Sequence, residues 1–389
     1  GMLGLIALTS QYYLYMTVII SAFIALVYLL FIERRAWRDR RFWLQWVLAG
    51  VVALPLVLAA VTPYIALNRQ GGLPDRDLGS LRQFAASANP TDYLLPATDH
   101  FLFGRWVGET FSRDFWIEQS LTIGWVVMIL GVLAWFARDD RRRRHLLILM
   151  LAGGLLALVL SFGLDLHWNE QRILISVPPF LQDLVGAAEA PIPLPGILMF
   201  KFVPFYAKLR AFSRFGIFVL LFSCAAAGMG ASWLLARIKP RWRPLAATGL
   251  LLLVLFEFYP GLYRQFSPVQ ARPVDTWLAQ QPGEGAVIQF PFRMGEDQEQ
   301  IYNTLINGKP YVGGFFNAFP PPQYRSLLPI MDYFPDERSC AMLDGLGVEY
   351  VLVHAPAYDD PSWVRTESER CGLVYIDQIG DEMIFMLEP

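Results

Sequence analysis

The chain has 389 residues, 55% of them hydrophobic and 17% charged, with a formal net charge of −2. A soluble domain carries roughly 25% charged residues, so the shortfall excludes an ordinary soluble protein, and near-neutrality excludes the basic footprint of a nucleic-acid binder. Three cysteines, Cys224, Cys340 and Cys371, show no CxxC or Cys/His zinc spacing.

The chain begins Gly1-Met2, and no basic stretch precedes the first apolar run. It therefore does not read as a secretory signal peptide. The start reads as a piece of a longer protein, or as a residue added ahead of Met2.

Six apolar runs approach the roughly 20 residues that a bilayer requires of a helix. They cover Tyr13–Ile32, Phe42–Leu67, Leu121–Ala137, Leu146–Gly163, Phe215–Ala236 and Leu245–Leu262. Pro55 and Pro63 predict a kink or tilt in the second. The third is short, with a start as early as Phe115. The fold class expected is an α-helical polytopic membrane protein of about six spans, completed by a small α/β domain.

Charge alternates along the linkers. ERRAWRDRR (Glu33–Arg41) and RDDRRRRH (Arg138–His145) carry five arginines each, and RIKPRWR (Arg237–Arg243) carries four basic residues. Short basic linkers stay in the cytoplasm, so these three are expected inside. Residues 68–120 and 164–214 and everything after Tyr263 are then expected outside the cytoplasmic membrane. The N-terminus also falls outside, which for a chain starting in the cytoplasm implies an odd number of further spans upstream.

Two divisions follow: residues 1–264, a helical membrane domain with two extracytoplasmic loops, and residues 265–389, an extracytoplasmic α/β domain. In the second, RPVDTWLAQQ has helical spacing, Ala286–Phe290 reads as a strand closed by Pro291, and YRSLLPIMDYF and DERSCAMLDGLG read as short helices. Val348–His354 is a continuous apolar run of the kind buried on both faces of a sheet. GLVYIDQIGDEMIFMLEP reads as a hairpin turning at Gly380-Asp381. The bland reading of this domain is a packing or interaction module without chemistry. Cys340 and Cys371 share it, and either a disulfide or a buried free thiol at Cys340 fits the sequence.

Candidate chemistry is sparse. Asp75 and Asp77 form a D-x-D triplet, which reads as catalytic carboxylates or as a solvated turn beside Gly71, Gly72 and Pro74. Asp165, His167 and Glu170 in DLHWNE form a group that could ligate a divalent metal, or a polar cluster beside an interfacial Trp168. His354 reads as a core histidine. Arg210 and Arg214 in LRAFSRFG stand four apart, on one face if the segment is helical, at the mouth of the fifth apolar run. They lie against the positive-inside trend. Their planar forks suit a lipid phosphate, and ordinary headgroup anchoring is the alternative. Lys201 and Lys208 add charge nearby. The preceding PIPLPGILMFKFVPFYAKL reads as a proline-broken segment lying on or dipping into the membrane.

Glu257 is the only acidic residue well inside a predicted span. Burying its charge requires a partner, and Arg214 or Arg210 is expected to supply it. The alternative is a protonated carboxyl bonded to a backbone carbonyl or to Tyr259.

Several stretches, taken together, resemble a known bacterial group. They are the opening GLIALTSQYYLYMTVIISAFIALVYLL, NPTDYLLPATDHFLFG (Asn89–Gly104), LRAFSRFGIFVLLFSCAAAGMGASWLL, and the tail segments VDTWLAQQPGEGAVIQFPF, INGKPYVGGFFNAFPPPQYRSL and LDGLGVEYVLVH. In style and order these are similar to the C-terminal half of polytopic proteins of the GT-C glycosyltransferase superfamily, nearest the YfhO-type and mannosyltransferase-like group. The resemblance implies a bacterial cell-envelope enzyme that moves a sugar from a polyprenyl-phosphate carrier outside the cytoplasmic membrane. It also implies that the essential acidic residues lie in a first outside loop upstream, so that residues 1–389 alone lack transferase activity. A non-catalytic protein of envelope polymer assembly and a transporter are the competing expectations. No internal repeat supports the transporter.

Overall fold

A computed structural model describes residues 2–69, 76–81, 87–112, 116–137, 140–180, 182, 186–209, 211–261, 270–293, 297–314 and 320–387. The chain forms two compact units, Gly1–Arg264 and Gln265–Pro389. The boundary coincides with the change in composition read from the sequence.

The first unit is helical. Among the described residues four helices are long and apolar enough to cross a membrane: Gln11–Ile32, Arg40–Arg69, Arg141–Ser161 and Phe212–Ala236. In chain order we label α1 (Met2–Thr9), α2 (Gln11–Val27), α3 (Arg40–Arg69), α4 (Pro90–Leu94), α5 (Trp116–Gln119), α6 (Trp125–Leu133), α7 (Arg141–Ser161), α8 (Gly216–Ala236) and α9 (Arg243–Glu257). Ser10 separates α1 from α2: its backbone is extended, and its side chain accepts the Tyr13 N–H as an N-cap. A π-helical turn, Tyr28–Ile32, continues α2 into the basic linker. The helix α3 runs unbroken through Pro55 and Pro63.

Two of the six expected spans come out shorter. Leu121–Ala137 becomes a helix over Trp125–Ala137, because Gly124, at φ +89°, ends the extended approach. Leu245–Leu262 becomes α9, which stops at Glu257 ahead of Pro260 and Gly261. At 1.5 Å per residue these reach about 20 Å, short of the roughly 30 Å hydrocarbon core. Packing centres on α8, which lies along α6 and α7. Small residues set its closest approach: a Cβ on Gly230 would sit 1.8 Å from the Leu130 carbonyl oxygen of α6. Ala226 and Ala227 are buried on α8 beside it. Small residues of this kind let helix backbones meet where lipid supplies no hydrophobic drive.

The second unit is a layered α/β domain. Its elements are α10 (Pro273–Leu278), β5 (Ala286–Phe290), α11 (Asp297–Asn307), α12 (Pro322–Met331), α13 (Glu337–Gly345), β6 (Val348–His354), α14 (Pro361–Arg370), β7 (Leu373–Ile379) and β8 (Glu382–Leu387). The strands β1 to β4 form two small hairpins in the first unit: β1 (His167–Trp168) with β2 (Gln171–Arg172), and β3 (Leu174–Ser176) with β4 (Glu189–Pro191). The main sheet has the order β5-β6-β8-β7, with β5 and β6 parallel and the other pairs antiparallel. Period-two alternation divides its faces. Ile288, Phe290, Val351, Val353, Met383 and Phe385 line one core, with Leu343 of α13 and Val364 of α14. Val287, Tyr350, Leu352 and Ile384 line the other, against Val274 and Leu278 of α10. Each such side chain contributes about 1.5–3 kcal/mol by leaving water. Gly380 at φ +62° closes the two-residue turn between β7 and β8, where Gly380-Asp381 predicts it. Cys340 and Cys371 form a disulfide, with Cα atoms 5.8 Å apart. This decides the open alternative against a free thiol: α13 and the residue after α14 converge on one point.

Candidate functional site

Arg214 belongs to the 3₁₀ turn Phe212–Phe215 that leads into α8. Phe212 and Phe215 are fully buried and anchor that turn among Met16, Ile20, Leu160 and Leu164. The guanidinium is thereby held at the helix mouth, with 31% of the side chain exposed. Its Nε donates to both carboxylate oxygens of Glu118 at 3.0 and 3.1 Å, and its Nη2 donates to the same carboxylate. Glu118 comes from α5, so the pair joins two segments almost a hundred residues apart in sequence. The guanidinium also lies 4.9 Å from the centre of the Tyr12 ring, as a cation–π contact. The Tyr12 hydroxyl in turn bridges the N–H and the carbonyl of Ala211, at 2.6 and 2.8 Å. Nη1 of Arg214 makes no hydrogen bond to any described residue.

A polar belt continues from this ion pair. Gln119, next to Glu118 and buried, donates to Glu170 Oε1 at 2.7 Å, and the Ser112 hydroxyl donates to Oε2 at 2.6 Å. Glu170 and Asn169 form the two-residue turn between β1 and β2, both with left-handed backbone, φ +63° and +47°. Asn suits such a turn, whereas Glu at the second position is strained. The two bonds to its carboxylate, and the Asn89 side-chain oxygen accepting its N–H at 3.2 Å, hold it there. Asn89 N–H donates to Asp92 at 2.7 Å in a capping box at the start of α4. Tyr93 donates to Ser161 Oγ at 2.6 Å, and burial pushes its phenol pKa up. Asn89 Nδ2 and Ser213 Oγ are buried without a hydrogen-bond partner among the described residues.

Of the two readings of Asp165, His167 and Glu170, the metal-ligating group does not assemble among the described residues. Asp165 and His167 are buried, and the His167 Nδ1 bonds the Asp165 carbonyl oxygen at 3.0 Å. Burial lowers the His167 pKa and favours a neutral ring. The hairpin turn sends the Glu170 carboxylate to Ser112 and Gln119 instead, and among the described residues no group of three His, Cys, Asp or Glu side chains could hold a metal ion. Asp75 and Arg210 lie outside the described residues. Asp77 is exposed; its neighbour Arg76 donates its N–H to the Ala207 carbonyl at 3.0 Å, tying this stretch to the segment that leads to Arg214.

Glu257 does not pair with Arg214, whose fork is taken by Glu118. Its carboxylate caps α6 instead, accepting the Trp125 N–H and, at 3.0 Å, the Val126 N–H. A carboxylate at a helix N-terminus meets both unsatisfied donors and the positive end of the dipole. A Cβ on Gly124 would lie 3.1 Å from this carboxylate and 2.8 Å from the Phe258 ring, so the site requires glycine there. His100 Nδ1 accepts the N–H groups of Leu102 and Phe103, which leaves Nε2–H to donate to the Glu257 carbonyl at 3.1 Å. The apolar run gave no sign of this break, so the freed N–H groups were invisible in it.

The second unit holds a polar centre that motif reading missed. Arg272, just before α10, donates through Nε and Nη2 to Asp275, through Nη1 to Gln289, and through Nη2 to Gln300. Asp275 is fully buried and also accepts from Asn307 Nδ2 at 3.0 Å. Glu382, opposite His354 in the sheet register, takes the His354 Nδ1 at 2.9 Å and lies 3.8 Å from Arg272 Nη1. His354 is thus the rim of this network and not a core residue. The available signal was the density of Arg, Asp, Gln and Asn in α10 and α11 beside apolar strands.

Comparison with known proteins returns no matching family model and no matching curated protein.

Proposed function

We propose that this chain is part of a bacterial membrane glycosyltransferase that uses a polyprenyl-phosphate-linked sugar on the outer face of the cytoplasmic membrane. The observation that carries the reading is the Arg214 fork. Glu118 and Tyr12 orient it at the mouth of an apolar helix, and Nη1 remains available to a phosphate oxygen. Hydrogen bonds between charged partners are worth roughly 1.5–3 kcal/mol each. Arg210 is the second proposed phosphate ligand; the catalytic carboxylates are left unassigned, with Asp75 and Asp77 the candidates within residues 1–389. The disulfide supports an oxidising, extracytoplasmic side for the second unit, in accord with the alternating basic linkers.

The test is titration of polyprenyl phosphate into the chain in nanodiscs, read by native mass spectrometry. Arg214→Gln should weaken binding by about tenfold, the equivalent of one charged hydrogen bond. Unchanged binding by that variant, or no binding by the native chain, overturns the phosphate role. Transfer from a polyprenyl-phosphate sugar, lost in Asp77→Asn, would extend the reading to catalysis.

A second reading is a non-catalytic protein of envelope polymer assembly. It is favoured by the Arg272 network, whose donors are turned onto the domain itself. Phosphate binding without transfer, in the full-length protein, would support it.

A further inference from the structure

The loop between α7 and α8 carries large apolar side chains that its own unit leaves uncovered. A short helix, Gly196–Phe202, turns Ile197, Phe200 and Val203 inward against the buried cluster. Its outer side shows Leu198 at 56% exposure and Phe202 at 77%, four residues apart and so on one face. Phe205 follows at 59% exposure and sits in left-handed backbone, φ +66°. A bulky residue rarely adopts that conformation, at a cost of order 1–3 kcal/mol, and the Lys208 N–H donated to its carbonyl at 3.0 Å helps to hold it.

The level of this loop along the helices identifies what covers it. The Tyr15 hydroxyl donates to the Pro204 carbonyl at 2.7 Å, which fastens Phe205 to the side of α2. Tyr15 lies on the fifth residue of α2, far from the basic linker that follows Ile32. From Ile32 to Tyr15 the helix rises about 25 Å, and from Ile32 to Gln11 about 30 Å, the thickness of a hydrocarbon core. A helical tyrosine leans toward its own N-terminus, so its hydroxyl stands near the upper limit of that core. An independent marker agrees: Gln11 Nε2 donates to the Ala60 carbonyl of α3, twenty residues beyond Arg40, which is again about 30 Å.

We propose that Leu198, Phe202 and Phe205 form an interfacial anchor whose occupant is lipid, set at the acyl-chain to headgroup boundary opposite the basic linkers. Lys201, exposed beside Phe202, extends its amine to the headgroup phosphates while its stem lies along the apolar face. The loop is therefore a membrane-surface element and not a water-facing one. Placed nine residues or more before Arg214, it fixes the depth at which that arginine meets the bilayer.

This rests on the chain crossing a bilayer, and the test separates the two. In a Cys224→Ser background, which removes the free cysteine, single cysteines at Val18, Phe202, Phe205 and Asp359 are spin-labelled in nanodiscs. Collision with oxygen and with a water-soluble nickel chelate then reports depth. Val18, half exposed within α2, is the lipid control and Asp359 the water control. The expected result is nickel collision at Phe202 and Phe205 several-fold below that at Asp359, with oxygen access retained. Nickel access at both loop positions while Val18 stays shielded would overturn the anchor alone. Nickel access at Val18 would overturn the bilayer reading with it. Spin–spin coupling between copies at Phe205, with oxygen excluded, would replace lipid by a second copy of the chain. Phe202 covers the case in which a label at Phe205 disturbs the left-handed turn.

Discussion

Arg214 and Arg272 are both partly buried arginines that hold a carboxylate, yet they sit in opposite circumstances. Arg272 engages Asp275, Gln289 and Gln300 with every nitrogen of its guanidinium. Arg214 spends two nitrogens on one glutamate, and its third makes no hydrogen bond to any described residue. The difference separates structural from available charge. A guanidinium saturated by its own domain specifies a fold, because any loss strands buried partners. One that is oriented but not saturated has capacity left for a ligand.

The widest test of that contrast is removal of each arginine. Arg272→Ala leaves Asp275 wholly buried without its counter-charge, and a loss of about 3–5 kcal/mol is expected. Limited proteolysis and denaturant unfolding of the full chain should both register it; a loss below about 1 kcal/mol, the scale of an exposed pair, would make the network ornamental. Next is the disulfide of the same unit. Cys371→Ser opens a loop closed across 31 residues of sequence, and the chain-entropy relation gives about 3–4 kcal/mol for that length. Unchanged unfolding of the second unit after reduction would show that its sheet and polar centre suffice alone.

Arg214→Gln should cost less in stability, about 1 kcal/mol, since the site is partly solvated and Glu118 can rehydrate. Its phosphate binding should fall all the same. A stability loss as large as that of Arg272→Ala would erase the distinction between the two arginines. The smallest effect concerns the polar belt beside Arg214. Burial lowers the His167 pKa in the folded chain. The unfolded chain therefore takes up the proton first, so stability is whole above about pH 6.5 and falls as pH drops from there through the lowered folded value. His167→Gln should flatten that part of the unfolding profile between pH 7 and 5; an unchanged slope would assign the acid response elsewhere.

Much of the fold was legible because it rests on local pattern. Val348–His354 and Ala286–Phe290 carry the unbroken apolar signature of buried strands and became β6 and β5. The Gly380-Asp381 turn follows from glycine's freedom at positive φ, and four apolar runs of sufficient length became long helices. The losses came where one residue changes the local geometry or where partners are distant. Gly124 shortened a predicted span and created the helix end that Glu257 caps, a contact across 131 residues of sequence. Glu118 was a loop glutamate without a motif, and only the fold brings it to Arg214. The group Asp165, His167 and Glu170 looked compact in sequence, but a left-handed turn aims its last carboxylate elsewhere.

The close approach at Gly230 has a mechanical corollary. With no Cβ between it and the Leu130 carbonyl, α6 and α8 meet backbone to backbone, and a turn of α8 that brought a neighbouring side chain to this point would collide with α6. They therefore travel as one strut. Glu257 rivets the C-terminal end of α9 to the top of that strut through α6, and Arg214 sits at the head of its other member. Any motion of the pair then carries the arginine along with it.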